Sequence, residues 1–440
     1  MPNREEELLA RIRERSARVA VIGLGYVGLP LAVEKAKAGF TVVGIDRNAN
    51  RVAQINRGEN YIGDVIAEDL AEAVHHGCIR ATQDFAEVAN ADIITICVPT
   101  PLDRNKQPDT SFIEHVVGCS LPHIRPGQLI VLESTTYPGT TQEVIQPYLE
   151  ERGFSIGRDV FLAFSPERVD PGNAKYKTKN TPKVVGGVTP ACTRVAASLY
   201  EQVLEGAVCC VSSPRIAEMT KLLENIFRIV NISLMNELAL LCERMGIDIW
   251  EVIEAAKTKP FGFLAFYPGP GLGGHCIPLD PFYLSWKAKE HDFTTRFIDL
   301  AGQINDRMPY HVVHRVMEIL NSSGKPMAKS KVLVLGMAYK SNIDDIRESP
   351  AVKIAGLLLQ RGASLTYHDP YVPVVSVAGQ MIESTPLSPE VLEASDLVLI
   401  TTDHIAVDYQ LVIRHAPVVF DTRNATAGLV GKNIIRLGVG

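Results

Sequence analysis

The sequence predicts an α/β protein with two Rossmann-like parallel-sheet domains joined by a long central helix. A buried strand, a glycine turn and a helical pattern follow one another over residues 18–39, and a second alternating α/β pattern starts near residue 331. A long helical pattern over 213–246 lies between them. Strands that alternate with helices are typical of parallel sheets covered by helices. The expected domains are residues 1–212, 213–320 and 321–440.

Composition argues against several classes of protein. The 440 residues carry 44 basic and 50 acidic side chains, so the net charge of −6 shows no basic excess of the kind that binds nucleic acid. The charged N-terminal stretch has no apolar signal region, and no apolar run is expected to span a bilayer. We expect a cytoplasmic protein that binds neither nucleic acid nor a membrane.

Eight cysteines are scattered along the chain without a C-x-x-C pair or a spacing that suits zinc. Reduced thiols fit a cytoplasmic protein, and no metal is expected. The adjacent Cys209 and Cys210 are predicted to lie in a buried strand.

The first α/β unit carries a dinucleotide-binding pattern. The apolar run Arg18–Ile22 leads into Gly23-Leu-Gly25-Tyr-Val-Gly28, and a second strand ends in Asp46 about 20 residues on. Gly23 makes the tight turn, Gly25 lets a pyrophosphate approach, and Gly28 lets the helix pack on the strand. The helix N-terminus attracts the phosphates.

Asp46 is expected to accept hydrogen bonds from the adenosine ribose. Its charge also repels a 2′-phosphate, so NAD is predicted rather than NADP, although the nearby Arg47 and Arg51 carry the opposite charge. Tyr26 and Val27 in the turn, and Arg51, are further predicted cofactor contacts. A glycine-bearing turn without a nucleotide is the alternative.

Polar residues follow three later strands of this unit. Ligands bind beyond the carboxyl ends of strands in such sheets, which makes Thr100 and Thr135 candidate contacts; each could also be a plain turn residue. The run Phe161–Phe164 delivers a turn with Glu167 and Arg168. Its carboxylates fit either a solvated loop or a general base.

The longest helical pattern begins with a Ser213 N-cap followed by proline and ends at Gly246. Its wide apolar coverage predicts burial between domains or in a dimer interface. Lys221 and Asn225 interrupt this coverage four residues apart, so they share one face. A polar pair in such a helix indicates a site, or else a snorkelling lysine and a satisfied asparagine.

The stretch from Tyr267 to Pro281 is where the chemistry is predicted. It places Cys276 and Asp280 among four glycines, Gly273 included, and four prolines, which favours a shaped loop. Backbone N–H groups or a cation activate a thiol as a nucleophile. The alternative is that Cys276 is a small buried hydrophobe.

A second α/β unit follows the polar linker at 321–326. Its first strand, Lys331–Leu335, ends in Gly336-Met-Ala-Tyr-Lys340 and lacks G-x-G-x-x-G, so this half is expected to bind something other than a second dinucleotide. Lys340 and Arg347 are candidate anion contacts, or else surface charges.

As an ordered set, these motifs resemble the UDP-glucose/UDP-N-acetylhexosamine 6-dehydrogenase family over nearly the whole chain. The motifs are Gly-Leu-Gly-Tyr-Val-Gly-Leu-Pro, Val-Pro-Thr-Pro, Phe-Ser-Pro-Glu-Arg, the Lys221/Asn225 helix, Gly-Gly-His-Cys-Ile-Pro-Leu-Asp, and Gly-Met-Ala-Tyr-Lys with Asp-Ile-Arg-Glu-Ser. The 164–173 turn and the Lys-Pro-Phe-Gly-Phe segment look most like the branch that oxidises UDP-N-acetylglucosamine.

The resemblance implies oxidation of a sugar C6 alcohol to a carboxylate in two hydride transfers to NAD⁺, with a thioester between them. Cys276 then matches the nucleophile, Lys221 the residue that stabilises oxygen charge, and Asn225 its partner. Asp280 and Thr135 match the groups that hold the catalytic water, and Glu167 the acid/base of hydrolysis.

The other residues predicted to contact cofactor or substrate follow from the same resemblance. The cofactor set adds Thr100, Thr135 and Arg347 to the turn residues, Asp46 and Arg51. The substrate set comprises Glu167, Arg168, Lys221, Asn225, Tyr267, Gly273 and Lys340. Arg168 is expected to help admit an N-acetyl group, and the chain is expected to form a homodimer or a higher homo-oligomer.

Two other functions fit part of the sequence. A two-electron β-hydroxyacid dehydrogenase of the 6-phosphogluconate type shares a Rossmann domain and a long helix with lysine and asparagine, but it needs no nucleophilic thiol and leaves the second α/β unit unused. An inactive dinucleotide-binding scaffold would be marked by loss of Cys276, Lys221 or Asp280, and all three are present.

Overall fold

The structure is a computed structural model that describes residues 3–63, 65–103, 106–170, 173, 175–274 and 276–440. Two compact units are present. The first comprises Met1–Glu224 and Trp286–Phe293, and the second comprises Asn225–Ser285 and Thr294–Gly440. Pro171 and Gly172 of the predicted Glu167 turn, and His275 beside the predicted thiol, lie outside the described residues.

An eight-stranded sheet forms the centre of the first unit. Its strands are β1 Arg18–Ile22, β2 Thr41–Ile45, β3 Ile79–Thr82, β4 Ile93–Ile96, β5 Leu129–Leu132, β6 Phe161–Phe164, β7 Lys183–Gly187 and β8 Val208–Val211. The order across the sheet is β3-β2-β1-β4-β5-β6-β7-β8. Neighbouring strands are parallel except for β6 and β7, which are antiparallel. The carboxyl ends of β1, β4, β5 and β6 therefore lie at one edge, where β7 begins.

Helices cover both faces of this sheet. They are α1 Arg4–Arg13, α2 Gly28–Lys37, α3 Ala49–Asn56, α4 Ala67–His75, α5 Ser111–Ser120, α6 Gln146–Glu151 and α7 Pro190–Val203. Short 3₁₀ segments occupy Phe85–Asn90 and Leu121–His123, and a π-helical turn occupies Thr141–Ile145. The strands β4, β5 and β6 are buried at every position, as expected for strands packed on both faces.

The longest helix, α8, spans Pro214–Met245 and has residues in both units. Ser213 Oγ accepts a hydrogen bond from Ile216 N at 3.4 Å, which confirms the predicted N-cap. The next helices are α9 Ile249–Lys257, α10 Asp280–Ala288 and α11 Arg296–Ser322, with a 3₁₀ turn at Lys289–His291.

The second unit contains a smaller parallel sheet. Its strands are β9 Lys331–Leu335, β10 Ser364–His368, β13 Leu397–Ile400, β14 Val419–Asp421 and β15 Ile434–Arg436, in the order β10-β9-β13-β14-β15. A separate hairpin joins β11 Val374–Val377 to β12 Gln380–Glu383. The helices α12 Pro350–Gln360, α13 Pro389–Glu393 and α14 Tyr409–His415 complete this unit. The predicted α/β class with Rossmann-like sheets and a long central helix is confirmed. The bounds 1–212, 213–320 and 321–440 stay a prediction.

One expectation about burial is wrong. Cys209 and Cys210 do lie on a strand, but β8 is the last strand of its sheet and both thiols are exposed. The apolar surface of α8 is covered only in part within this chain, so its burial in a dimer interface stays a prediction. Its exposed apolar residues are Ile216, Met219, Leu223, Phe227, Leu234, Leu241 and Met245, with exposed fractions of 38–60%.

The expectation that no apolar run could span a bilayer also needs correction. Among the described residues, α8 is long and apolar enough to pass a test of length and composition. Core helices of globular proteins pass the same test. Lys221 and Asn225 lie on this helix and are buried, which is a costly arrangement in a lipid environment.

Candidate functional site

The glycine turn after β1 has the geometry that the sequence predicted. Gly23 adopts a φ of +89°, and a Cβ there would lie 2.6 Å from the Cys97 carbonyl oxygen. A Cβ on Gly28 would lie 1.8 Å from the Gly23 carbonyl oxygen, so only glycine fits where α2 begins. At Gly25 a Cβ would meet no described atom within 4 Å. The turn therefore requires glycine for packing at two positions and leaves open space at the third.

Asp46 holds this turn in place. Its carboxylate accepts hydrogen bonds from the backbone N–H groups of Leu24 and Asn48, each at 2.8 Å. Arg51 lies 3.7 Å from the same carboxylate. Each carboxylate oxygen has a second lone pair, so the side chain is able to accept from ribose hydroxyls as well. Tyr26 and Val27 lie in the turn itself, and Tyr26 is exposed.

The turn and the helix that follows it fit a dinucleotide. No side-chain hydrogen bond caps the N-terminus of α2 in the described structure, so its positive end is available to phosphates. The open space at Gly25 lies in the same turn. These residues would hold and orient a dinucleotide, which would supply the hydride acceptor.

Two predicted contacts at the next strand ends lie together. Thr100 Oγ1 donates to the Thr135 carbonyl oxygen at 2.6 Å, which joins the segments that follow β4 and β5. Ser134 Oγ donates to the Val98 carbonyl oxygen at 2.8 Å across the same two segments. The threonines therefore lie at the carboxyl edge of the sheet, where β1 delivers the glycine turn.

Glu167 and Arg168 follow β6 at this edge. Glu167 Oε1 accepts from the backbone N–H groups of Arg168 and Val169, each at 2.8 Å. The Arg168 guanidinium lies 2.6 Å from Glu224 and donates to the Pro182 carbonyl oxygen at 2.8 Å. These partners hold the guanidinium that was expected to help admit an N-acetyl group, so in this structure Arg168 braces the turn.

A buried group of charges beside Glu167 was not found from the sequence. Glu133, which follows β5, lies 2.8 Å from Lys183 Nζ and 3.6 Å from Lys35 Nζ, and it accepts from the Tyr200 hydroxyl at 2.7 Å. Burial alone would raise the pKa of Glu133, but the two lysines hold it below its ordinary value. A lysine at the head of the apolar segment Lys183-Val-Val was the available signal.

Lys221 and Asn225 are both buried on α8, with exposed fractions of 7% and 4%. Lys221 belongs to the first unit and Asn225 to the second. Asn225 Nδ2 donates to the Asp280 carboxylate at 2.6 Å, and Asp280 is also buried. The structure thus joins two residues that were predicted as separate members of the site, one on α8 and one on α10, within the second unit.

Cys276 lies at the start of the turn that leads into α10. Its carbonyl oxygen accepts from the N–H groups of Leu279 at 3.2 Å and Asp280 at 2.8 Å. The Cys276 side chain is exposed, so the buried alternative for this cysteine is wrong. The thiol and the Asp280 carboxylate are therefore set by one short turn.

The glycines before the thiol are required by packing. A Cβ on Gly273 would lie 2.5 Å from the Tyr339 side chain and 2.9 Å from the Glu348 carbonyl oxygen. Gly274, with a φ of +87°, donates its N–H to the Arg347 carbonyl oxygen at 3.0 Å. The thiol loop is thus pressed against the segment that carries Lys340 and Arg347.

The remaining predicted contacts also lie in the second unit. The Arg347 guanidinium pairs with Asp345 at 2.6 Å, and Lys340 is partly buried in the same segment. Arg347 belongs to the second unit, whereas the glycine turn belongs to the first. The Tyr267 hydroxyl donates to Glu254 at 2.8 Å, and its ring stacks on Trp250.

In the second sheet, as in the first, a carboxylate after one strand accepts a hydrogen bond from the turn that follows the neighbouring strand. Gly336 has a φ of +89°, and Asp369 at the end of β10 accepts from Met337 N at 2.6 Å. His404 Nε2 lies 3.1 Å from the same carboxylate. Burial alone would raise the pKa of Asp369, but His404 and the backbone donors lower it. This half has the turn of a nucleotide-binding unit without its glycine fingerprint.

Among the described residues, no group of three or more His, Cys, Asp or Glu side chains could hold a metal ion. The fold, the glycine turn and its acidic residue define a dinucleotide-dependent oxidoreductase.

Comparison with known proteins identifies the family. Three profiles of the UDP-glucose/GDP-mannose dehydrogenase family match the chain: its NAD binding domain at residues 17–204, its central domain at 215–307 and its UDP binding domain at 333–428. The chain belongs to the UDP-glucose/GDP-mannose dehydrogenase family. It uses NAD, and its substrate is a UDP-sugar.

Three relatives illustrate the similarity. An NDP-N-acetyl-D-galactosaminuronic acid dehydrogenase of Ralstonia nicotianae is 36% identical over 88% of this chain and 90% of its own length. A UDP-N-acetyl-D-mannosamine dehydrogenase of Escherichia coli is 39% identical over 78% of this chain and 83% of its own. The solved structure of a UDP-D-ManNAc dehydrogenase from Pyrococcus horikoshii has a TM-score of 0.87 at 32% identity and covers 96% of this chain and 99% of that chain.

The hydrogen bonds between the Asp46 carboxylate and the backbone lead to a prediction about cofactor binding. In Asp46→Ala the backbone N–H groups of Leu24 and Asn48 lose the carboxylate that accepts their hydrogen bonds, and the ribose loses a charged acceptor. A hydrogen bond to a charged group contributes about 1.5–3 kcal/mol, so KM for NAD⁺ should rise by about tenfold or more while KM for the UDP-sugar changes little. Initial-rate kinetics with each substrate varied in turn measures both constants.

Asp84→Ala is the matched control, because Asp84 lies in the same unit and its carboxylate caps a 3₁₀ segment. It should leave KM for NAD⁺ unchanged. The wild-type enzyme should have a higher kcat/KM with NAD⁺ than with NADP⁺. An equal or higher value with NADP⁺ would overturn the role assigned to Asp46.

Proposed function

We propose that this enzyme oxidises the C6 hydroxyl of a UDP-N-acetylhexosamine to the carboxylate in two hydride transfers to NAD⁺, through a thioester at Cys276. The observation that carries the proposal is the turn that presents the exposed thiol. The Cys276 carbonyl oxygen accepts a hydrogen bond from Asp280 N, and the Asp280 carboxylate accepts one from Asn225. A thiol and a buried, oriented carboxylate are thereby held four residues apart on one turn.

Each remaining role follows from chemistry and from the family resemblance. Lys221, buried and cationic, stabilises negative charge that develops on the C6 oxygen, which a cation does far better in a dry site than in water. Asp280 and Thr135 hold the water of hydrolysis, and Glu167 accepts its proton. Asn225 orients Asp280.

The substrate contacts proposed beside them are Arg168, Tyr267, Gly273 and Lys340, and Arg347 and Thr100 are proposed cofactor contacts.

A thiol is needed because the first oxidation yields an aldehyde. Addition of the Cys276 thiol gives a thiohemiacetal that keeps the aldehyde bound and presents the C6–H for the second hydride transfer. That transfer gives a thioester, and water then releases the uronic acid and the thiol. A two-electron β-hydroxyacid dehydrogenase has no use for this cysteine. The UDP binding domain at 333–428 also argues against that alternative.

NADH yield tests this proposal. Wild-type enzyme should release two NADH per UDP-sugar consumed. Cys276→Ser should release at most one NADH per active site and form no uronic acid, because serine is a far weaker nucleophile at neutral pH and a poor leaving group. NADH absorbance with product quantification by mass measures both, and binding of the UDP-sugar should be nearly intact.

Cys209→Ser is the matched control, because Cys209 is an exposed thiol on β8 of the first unit. It should retain both the yield and the rate of the wild type. If Cys276→Ser formed uronic acid at a rate near that of the wild type, the thioester mechanism would be wrong.

The identity of the hexosamine is the finer part of the proposal. The 164–173 turn resembles the branch that acts on UDP-N-acetylglucosamine, which we propose as the preferred substrate. The activities of the Escherichia coli and Pyrococcus horikoshii relatives support UDP-N-acetylmannosamine equally. The two sugars differ only in the configuration at C2.

We therefore predict kcat/KM to fall in the order UDP-N-acetylglucosamine, UDP-N-acetylmannosamine, UDP-glucose. Initial rates with each of these sugars at saturating NAD⁺ measure the order. A higher value for the mannosamine sugar would move the enzyme to the other epimer, and a higher value for UDP-glucose would remove the N-acetylhexosamine assignment while leaving the reaction type intact.

We further propose that the enzyme is cytoplasmic and supplies uronic acids for bacterial surface polysaccharides, as the resemblance implies. A second copy of the chain is the proposed cover for the exposed apolar residues of α8. Leu223, Phe227, Leu234 and Leu241 are spaced four or seven residues apart on that helix, as in a continuous apolar stripe. Apolar stripes of this length are rarely left in water.

Leu234→Glu with Leu241→Glu should convert a dimer into monomers, because two carboxylates would be placed in the proposed interface. Light scattering at assay concentration should give twice the 48.1 kDa chain mass for the wild type and one chain mass for the variant. Val430→Glu, at a residue that is 98% exposed, is the control and should remain a dimer. A fully active wild-type monomer would refute dimerisation.

A further inference from the structure

A buried ion cluster lies behind the carboxyl edge of the first sheet. It consists of Lys35, Glu133, Lys183 and Tyr200, which come from α2, the end of β5, the start of β7 and α7. Lys35, Glu133 and Tyr200 have an exposed fraction of at most 1%, and Lys183 of 4%. Buried charges are costly unless each has partners, so a cluster of this kind is an uncommon feature of a sheet core.

Lys183 is the member of the cluster that reaches the proposed catalytic turn. Its Nζ lies 2.8 Å from Glu133 Oε2 and 3.4 Å from Glu167 Oε2. Burial alone would lower the pKa of Lys183, but the carboxylates of Glu133 and Glu167 outweigh that effect and raise it. Lys183 is therefore a cation shared between a structural carboxylate and the carboxylate proposed as the base of hydrolysis.

The other oxygen of Glu167 is fixed by its own turn. Oε1 accepts from the N–H groups of Arg168 and Val169, while Oε2 faces Lys183. Both oxygens of the carboxylate thus have partners, and these partners fix its rotation about the Cγ–Cδ bond. A general base works only if it is ionised and within hydrogen-bond reach of the proton that it takes.

The topology explains why a lysine from a distant part of the sequence lies here. β7 runs antiparallel to β6, so its first residue lies at the edge where β5 and β6 end. Had β7 been parallel, Lys183 would lie at the opposite edge. Glu133 in turn holds Lys183, and the Tyr200 hydroxyl and Lys35 hold Glu133.

The other charged groups near Glu167 have partners of their own. Arg168 is paired with Glu224, and Asp170 also has an interaction partner. Cys97 is buried near the cluster, and burial together with the charge of Glu133 raises the pKa of its thiol well above the ordinary value. Within the part of the chain that the structure describes, Lys183 is the cation that contacts the Glu167 carboxylate.

We propose that Lys183 is a positioning residue for the hydrolytic step, which holds the Glu167 carboxylate in its orientation through the buried ion cluster. The proposal rests on the proposed role of Glu167. In that step water adds to the C6 carbonyl, its proton passes to Glu167, the C6–S bond breaks and the thiolate of Cys276 leaves. Lys183 contacts neither the substrate nor the cofactor in this account, and it acts through Glu167 alone.

The test separates hydrolysis from the hydride transfers that precede it. The principal variant is Lys183→Met combined with Glu133→Gln, which removes one buried cation and one buried anion together. Lys183→Gln is the second variant, since it keeps a donor toward Glu133 and removes only the charge. Lys183→Arg retains the charge and should rescue. Lys179→Met, in an exposed ion pair with Glu205, is the matched control.

Two quantities are measured: the burst of NADH per active site in the first turnover, and the fraction of Cys276 that carries the uronyl adduct at steady state. In both charge-removing variants the burst of two NADH should persist, while steady-state kcat falls by about 10²-fold and the adduct becomes the main species. General-base catalysis typically contributes a factor of about 10²–10⁴. Lys179→Met should resemble the wild type.

Glu167→Gln distinguishes failure of this inference from failure of the proposed function. If Glu167→Gln does not accumulate the adduct, then Glu167 is not the base and the proposed function loses that role. If it does accumulate the adduct and the Lys183 variants turn over normally, or lose the burst together with kcat, the positioning role is overturned. Accumulation in the Lys183 variants but not in Glu167→Gln would also overturn it.

Discussion

In each sheet a carboxylate that follows the second strand accepts a hydrogen bond from the turn that follows the first strand. The shape of the carboxyl edge of each sheet depends on that hydrogen bond. In the first unit Asp46 accepts from Leu24 N, and in the second Asp369 accepts from Met337 N. The glycine that opens each turn has a φ of +89°. An α/β unit brings these two strand ends together, so a single acidic residue fixes a turn that has no regular hydrogen bonding of its own.

The surroundings of the Asp46 and Asp369 carboxylates differ. Beside Asp46 the chain has open space at Gly25, whereas Asp369 lies against His404, which is fully buried. The first turn therefore keeps room for a pyrophosphate, and the second has its carboxylate occupied. This difference agrees with an NAD binding domain in the first unit and a UDP binding domain in the second.

Buried polar contacts hold the proposed catalytic groups in both units. In the first unit Lys183 joins Glu133 to Glu167, and in the second Asn225 donates to Asp280. Such contacts add little net stability, because the desolvation of charged groups offsets their attraction. They fix orientation, and the chemistry of a two-step oxidation depends on orientation.

Local sequence patterns predicted the elements that local chemistry determines. The Gly23–Gly28 turn and the start of α8 at Ser213 are recognised from adjacent residues, and Asp46 from its fixed distance of about 20 residues behind the turn. The structure agrees with all three. Asn225 and Asp280 are 55 residues apart, and only the family resemblance placed them in one site.

The features that were missed depend on contacts distant in sequence. The antiparallel direction of β7 is decided by its pairing with β6, and no periodicity in Lys183–Gly187 reveals it. For that reason Lys183 was not recognised. The exposure of Cys209 and Cys210 likewise follows from the position of β8 at the sheet edge. An apolar helix pattern predicts burial whether its own chain or a second copy covers the helix, so the sequence left both alternatives open for α8.

The measurement that tests the account most directly is peptide mass analysis of wild-type enzyme quenched in acid during turnover with a UDP-N-acetylhexosamine and NAD⁺. The account predicts that the peptide containing Cys276 carries the mass of the uronyl group as a thioester, which hydroxylamine removes. A Cys276 peptide that stays unmodified throughout turnover, with uronic acid still forming, would contradict it.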